Sequence, residues 1–301
     1  MSATPENDAS QITITSLREM KAEGRPIVMV TAYDTPSARL ADEAGVDSIL
    51  VGDSLGMTVL GHDSTLPVTM DDMLRHTSAV VRGTKHALVV ADMPFMSFQV
   101  SVEEALRNAG RFLAEAGASA VKIEGGRDVA PLAERLTTVG IPVMGHVGLT
   151  PQSVHQLGGY SVQAKETAAA VALMEDCRAL QDAGAFSVVL ECIPAELAQI
   201  VSAELSIPTI GIGAGGGCDG QVQVFHDLLG LGEFTPRHAK RYAEVGDAIR
   251  GAIASYTAEV RQHTFPGKDH GSSMDPETLS EVEGLGSGSR DVTGAGEMAQ
   301  E

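Results

Sequence analysis

Ser48-Ile49-Leu50-Val51-Gly52-Asp53-Ser54-Leu55-Gly56 is the stretch on which the fold turns. A short, mostly apolar run halts there at a glycine, a carboxylate and a hydroxyl. A run of this length suits a strand buried on both faces, the condition of a parallel sheet. A carboxylate at the end of such a strand lies at the sheet's C-terminal edge, where α/β folds gather their chemistry. Glu43-Ala44-Gly45, just upstream, reads as a helix end capped by glycine.

The arrangement recurs. Glu115-Ala116-Gly117 leads into Ala120-Val121-Lys122-Ile123-Glu124, and Asp182-Ala183-Gly184 leads into Phe186-Ser187-Val188-Val189-Leu190-Glu191. Further strands are expected over residues 27–31, 87–92, 141–146, 207–212 and 222–226. Helices are expected between them. One covers residues 15–24. Thr35 as N-cap and Pro36 at the first helical position open a second. The capping box Ser101-Val102-Glu103-Glu104 opens a third, and residues 166–183 form an alanine-rich fourth. Eight βα units, with strands starting near residues 27, 48, 87, 120, 141, 186, 207 and 222, predict a single (β/α)8 TIM barrel. A doubly wound open sheet is the competing layout, but no glycine-rich dinucleotide signal appears early in the chain.

Residues 62–70 and 150–165 are long and polar enough to act as lids over a barrel mouth. Tyr242, Val245, Ile249, Ile253, Tyr256 and Val260 fall at helical spacing and predict a long amphipathic C-terminal helix. The catalytic domain is expected to span residues 11–270, including that helix. Residues 1–10 read as a flexible lead, and residues 271–301 as a disordered tail rich in Gly, Ser, Asp and Glu.

The 301 residues are 43% hydrophobic and carry a formal net charge of -19. Such a surface repels nucleic acid and anionic membrane, so neither is expected as a partner. An anionic substrate would need a local cation. Three cysteines, Cys177, Cys192 and Cys218, with no CxxC pairing fit a reducing compartment. No apolar run has the length of a transmembrane helix, and the polar start lacks the order of a signal peptide. A soluble cytoplasmic protein is expected.

In a barrel the strand ends meet at one mouth, here Asp53 with Ser54, Asp92, Lys122 with Glu124, His146 and Glu191. Any one of them alone is an ordinary capped or salt-bridged strand end. Four acids together repel one another unless a cation sits among them. Oxygen ligands point to a hard ion such as Mg2+. Asp53, Asp92 and Glu124 come from neighbouring strands and can surround one ion. Glu191, further round the ring, is better placed as a base across the cavity. Lys122 and Glu124 are two apart and so face the interior together. His146 reads as a substrate contact, and the glycine-rich stretch 211–217 as a tight turn that lets substrate approach the backbone. Cys192, next to Glu191, should point away from the mouth.

These residues carry a resemblance. VGDSLGM at 51–57, LGHDSTLPVT at 60–69, ADMPFMS at 91–97, VKIEGG at 121–126, GHVGLTPQSV at 145–154, LECIPAELA at 190–198 and IPTIGIGAG at 207–215 closely resemble the ketopantoate hydroxymethyltransferase family. The resemblance runs from about residue 11 to residue 270. It implies a barrel of the phosphoenolpyruvate mutase/isocitrate lyase-like type. It also implies transfer of a hydroxymethyl group from 5,10-methylenetetrahydrofolate to 3-methyl-2-oxobutanoate, giving 2-dehydropantoate for pantothenate synthesis. By the same resemblance, Mg2+ is held by Asp53, Asp92 and Glu124, substrate is bound by Asp53, Ser54, Asp92, Lys122 and His146, and Glu191 is the general base. Bacterial members are typically homodecamers. The family usually has lysine where Ser161 stands and glycine where Ala164 stands. Two alternatives remain: a Mg2+-dependent 2-oxo acid aldolase or lyase of the isocitrate lyase-like superfamily, and a non-catalytic metal-binding barrel. The Lys-Lys-Cys-Gly-His loop of isocitrate lyases is absent from the sequence, and the base and lysine argue against a non-catalytic role.

Overall fold

The computed structural model describes residues 11–232 and 234–287. Eight parallel strands close into a barrel in sequence order: β1 (Ile27–Thr31), β2 (Ser48–Val51), β3 (Leu88–Asp92), β4 (Ala120–Glu124), β5 (Val143–Gly148), β6 (Ser187–Glu191), β7 (Thr209–Ile212) and β8 (Gly220–Gln223). Pairing of β1 with β8, from Ile27 opposite Gly220 to Val30 opposite Gln223, closes the ring and excludes the open sheet.

The strands are buried on both faces, and two apolar clusters divide their residues. Met29, Leu50, Leu88, Val90, Ala120, Met144, Val189, Ile210 and Val222 form the barrel interior, together with Leu17 and Met20 from helix Ile14–Glu23. Val30, Ile49, Val51, Val89, Val121, Ile123, Val188 and Leu190 face outward to the helices. Side chains alternate along a strand. Lys122 and Glu124 therefore share the inward face with Ala120, Asp92 with Val90, His146 with Met144, and Glu191 with Val189.

Glycine at the turns of the repeated helix–strand unit stands at φ 83 for Gly45, 79 for Gly117 and 89 for Gly184. This is the left-handed conformation that a glycine cap supplies. The helix after β1 covers Thr35–Glu43, but its N-cap is Asp34 rather than Thr35. The Asp34 carboxylate accepts from Ser37 N at 2.7 Å, one turn into the helix. Ser101 caps its helix as expected, accepting from Glu104 N at 3.2 Å, although the reciprocal half of the box is not formed. β8 lies earlier than the apolar run 222–226 suggests. Val222 is its one large apolar residue, alongside Gly220 and two glutamines, and Phe225–Leu228 turns instead into a short helix.

Asp42, on the helix Thr35–Glu43, binds this layer to the entry of β3. It is only 6% exposed. It accepts the backbone N–H groups of Ala87 at 2.8 Å, His86 at 3.0 Å and Lys85 at 3.0 Å, and contacts His86 Nδ1 at 3.1 Å. Burial works against its charge, but these donors prevail and hold its pKa below the usual aspartate value. Asp42→Ala leaves three amides without their acceptor and is expected to cost about 2–5 kcal/mol of stability in urea unfolding. Because the folded pKa is depressed, this contribution is complete at neutral pH. It begins to fade near the unfolded aspartate value of about 3.9 and is lost as pH falls through the folded value.

The chain divides into two compact units, Met1–Gly246 and Asp247–Glu301, so nearly all of the C-terminal helix, Val245–Arg261, falls in the second. Tyr242 precedes this helix, and Ile249, Ile253, Tyr256 and Val260 on it are exposed. Within the segment expected to be disordered, Pro276–Ser287 is helical. Asp275 accepts from Glu277 N at 3.0 Å and Thr278 N at 3.2 Å, and proline follows it at the first helical position. That start signal outweighs the Gly/Ser composition. The lead over residues 1–10 and the tail beyond residue 287 lie outside the described residues. No described helix is long and apolar enough to cross a membrane.

Candidate active site

Every residue expected at the mouth is there. Asp53 and Ser54 follow β2 and precede the short helix Leu55–Thr58, Asp92 ends β3, and Lys122 and Glu124 stand on β4. His146 lies on β5, and Glu191 ends β6. Register sets Asp92 beside Lys122, and Glu124 beside His146. Gly52 makes the approach of β2 and β3 possible. A Cβ there would lie 2.7 Å from Ser54 Oγ and 3.4 Å from Asp92 Oδ2.

The contacts form one connected cluster. Lys122 Nζ lies 2.7 Å from Asp92 Oδ1 and 3.9 Å from Glu124 Oε1. His146 Nδ1 is 3.4 Å from Glu124 Oε1, and its Nε2 is 3.0 Å from Glu191 Oε2. Asp92 Oδ2 accepts from Asp53 N at 3.0 Å. Asp53, Asp92, Lys122, Glu124 and His146 are all buried, while the Glu191 side chain is 16% exposed. His146, expected to face substrate, thus turns both ring nitrogens to protein groups. Glu191, expected as a base across the cavity, lies against His146.

Burial first, then Asp92 and Glu124, push the Asp53 carboxyl well above the usual aspartate range. Burial also raises Asp92, against the pull of Lys122. Burial opposes charge on Glu124, but His146, Lys122 and the Gln152 N–H hold its pKa below the ordinary value. Lys122 is raised: burial disfavours its charge, and Asp92, Glu124 and Asp53 outweigh burial. His146 rises to about 9, because Glu124 and Glu191 overcome burial and the nearby ammonium. Lys122 Nζ also lies 3.0 Å from His146 Nδ1, and an ammonium donating there would require a neutral ring. The two carboxylates favour the imidazolium.

The donor set fits a divalent cation. Four carboxylates crowd around one ammonium and one imidazole, an excess of acid that a divalent ion would offset. Burial and the neighbouring acids disfavour charge on Asp53 when no cation is present. Asp92 Oδ1 and His146 Nε2 are buried without a directed hydrogen bond, although Lys122 Nζ lies 2.7 Å from the first and Glu191 Oε2 3.0 Å from the second. Among the described residues no three His, Cys, Asp or Glu side chains already stand at ligating spacing. Lys122 lies between Asp92 and Glu124 instead.

Three further residues belong to the mouth and were not singled out by sequence. Tyr33, just past β1, bonds Ser54 Oγ at 2.8 Å and accepts from Thr31 Oγ1 at 2.9 Å. Gln152 binds Asp53 and Glu124. Tyr160, in the segment 150–165, reaches Met57 on the helix after β2, with its hydroxyl 3.8 Å from the sulfur. That segment is tied to the end of β6 by Gln163 N donating to Cys192 O at 2.8 Å. In it Ala164 stands at φ 54, the left-handed conformation that favours glycine. The glycine turn after β7, expected to let substrate approach the backbone, is packed at Gly213 against protein and open at Gly216. A Cβ on Gly213 would meet Cys192 Sγ at 3.0 Å and His238 at 3.4 Å, so its glycine makes room for protein side chains. Cys192 Sγ accordingly lies on that side, 4.0 Å from His238 Nδ1.

Residues 11–268 match the family model described as ketopantoate hydroxymethyltransferase. The chain belongs to that family. A 3-methyl-2-oxobutanoate hydroxymethyltransferase of Syntrophus aciditrophicus is 62% identical over 261 residues, covering 86% of this chain and 96% of that protein. The protein of that name from Carboxydothermus hydrogenoformans is 56% identical, covering 90% of this chain and 99% of its own. Among solved structures, phosphonopyruvate hydrolase in complex with oxalate and Mg++ superposes with a TM-score of 0.56 at 14% identity, covering 91% of this chain and 95% of that one. A 2,3-dimethylmalate lyase, a PEP mutase/isocitrate lyase superfamily member, gives 0.54 at 20% identity, covering 91% and 95%. At such identities these likenesses concern the fold, which is the barrel type expected for a ketopantoate hydroxymethyltransferase.

Proposed function

We propose that the chain transfers a hydroxymethyl group from 5,10-methylenetetrahydrofolate to C3 of 3-methyl-2-oxobutanoate, giving 2-dehydropantoate in cytoplasmic pantothenate synthesis. Family membership supports the reaction class. The observation that carries the chemistry is the buried cluster of Asp53, Asp92, Glu124, Lys122, His146 and Glu191 at one barrel mouth.

Asp53, Asp92 and Glu124 would hold Mg2+, which when bound supplies Lewis-acid polarisation of the 2-oxo acid. The chain's own residues do the rest. Ser54, fixed by the Tyr33 hydroxyl, orients the substrate. Lys122 brings a second positive charge to the side of the mouth where negative charge develops. Glu191 takes the C3 proton, and the C–H electron pair becomes the enolate. His146 holds Glu191 in place and, as an imidazolium, offsets its charge before proton transfer. The enolate carbon then forms a C–C bond to the methylene of the folate's iminium form. Water supplies the hydroxyl as the carbon–nitrogen bond breaks and tetrahydrofolate leaves. The exposed face of Ile249, Ile253, Tyr256 and Val260 supports a homo-oligomer, a decamer by family resemblance.

A 2-oxo acid lyase or aldolase that needs no folate is the second reading, since the barrel is shared with a 2,3-dimethylmalate lyase. Assay with 3-methyl-2-oxobutanoate separates the two. 2-Dehydropantoate is expected only when methylenetetrahydrofolate is present, and folate-independent cleavage or condensation at a comparable rate would favour the second.

A further inference from the structure

Gln152 is 6% exposed and sits in the turn Pro151–Ser153, at the root of the segment 150–165. Its Nε2 donates to Asp53 Oδ2 at 2.9 Å and to the Met93 carbonyl at 2.9 Å, and its backbone N–H donates to Glu124 Oε2 at 3.0 Å. Its Oε1 accepts from Gln99 Nε2 at 3.3 Å. Two acceptors around one side-chain atom fix which end of the amide is nitrogen. A single residue from the loop after β5 thus grips one oxygen on each of two carboxylates that arrive from β2 and β4, and braces itself on the chain just past β3.

We infer that Gln152 is a positioning residue for the cation, holding Asp53 and Glu124 in the orientation that ligates it. The inference rests on the proposed cation site. The side-chain donor to Asp53 and the backbone donor to Glu124 restrict the torsions of both carboxylates. Removing such outer partners of ligands typically weakens metal affinity by roughly 10- to 100-fold. Gln152 roots the loop as well, so the same bonds link cation occupancy to the order of the residues over the mouth.

Electron paramagnetic resonance of Mn2+, on the full-length protein without substrate, measures the affinity directly. Gln152→Met keeps the volume and the backbone donor to Glu124 but loses the side-chain donor to Asp53, and is expected to weaken Mn2+ binding by roughly tenfold or more. Its activity is expected to recover at saturating cation, so that the cation requirement moves far more than kcat. Gln152→Asn, one methylene short of Asp53, is expected to behave alike and serves if the Met variant does not fold. Gln99→Ala, which releases only the far oxygen, is expected to shift affinity less. Wild-type Mn2+ affinity in a folded Gln152→Met or Gln152→Asn protein would overturn the positioning role. A wild-type protein that binds no Mn2+ would overturn the cation site itself, and the inference with it.

Discussion

Glu191→Gln is expected to lower deuterium uptake at C3 of 3-methyl-2-oxobutanoate by about 10²- to 10⁴-fold, the usual contribution of a positioned base. Proton NMR in D2O follows the uptake without the folate co-substrate, so the proton-transfer step is read alone. The choice of Glu191 over its neighbours rests on burial and partners. Asp92 faces Lys122, Asp53 accepts from Gln152, and Glu124 is held by Gln152 and His146. Among the described residues, Glu191 pairs with the His146 imidazole and no cationic side chain of Lys or Arg, and it is the most exposed acid of the cluster, with a side chain 16% accessible against 4% for Asp92 and Glu124. Glutamine keeps the size and leaves the proposed ligands in place, so Mn2+ affinity is expected to hold. Uptake at the wild-type rate would assign the base elsewhere.

The second large effect is that of removing the cation. The hydrogen at C3 is a very weak acid, and a carboxylate alone is a poor match for it. Polarising the 2-oxo acid contributes several kcal/mol, and each ~1.4 kcal/mol is a tenfold change in rate. Lys122 and His146 remain in the stripped protein and stabilise part of the developing charge. They are already engaged by Asp92, Glu124 and Glu191, which limits what they can offer substrate. A loss of more than about a hundredfold is therefore expected on chelation, restored by adding Mg2+ back.

Much of this arrangement is legible from residue order. A strand buried on both faces declares itself as an apolar run. The glycine at each preceding helix end fixes where it starts, so β2, β4 and β6 and their terminal acids stand where expected. Period-two alternation also places Lys122 with Glu124 on one face. What sequence does not carry is contact between distant segments. Gln152 looks like one more polar loop residue until its turn folds back over β2 and β4. Tyr33 looks like a core aromatic until its hydroxyl meets Ser54. His146 reads as a substrate contact because its strand end is visible in the sequence, whereas its contacts with Glu124 and Glu191 are not. Glycine in the turn after β7 signals close approach, but not that the approaching atoms belong to Cys192 and His238. In the tail, composition masks a local start signal, Asp275-Pro276, that begins a helix.

The account depends above all on a divalent cation among Asp53, Asp92 and Glu124 that makes C3 deprotonation possible. C3 deuterium uptake by protein stripped with a chelator, measured before and after Mg2+ is restored, tests it most directly. Uptake that collapses on stripping and returns with the metal is the predicted result. Uptake that continues at the same rate in the metal-free protein would contradict it.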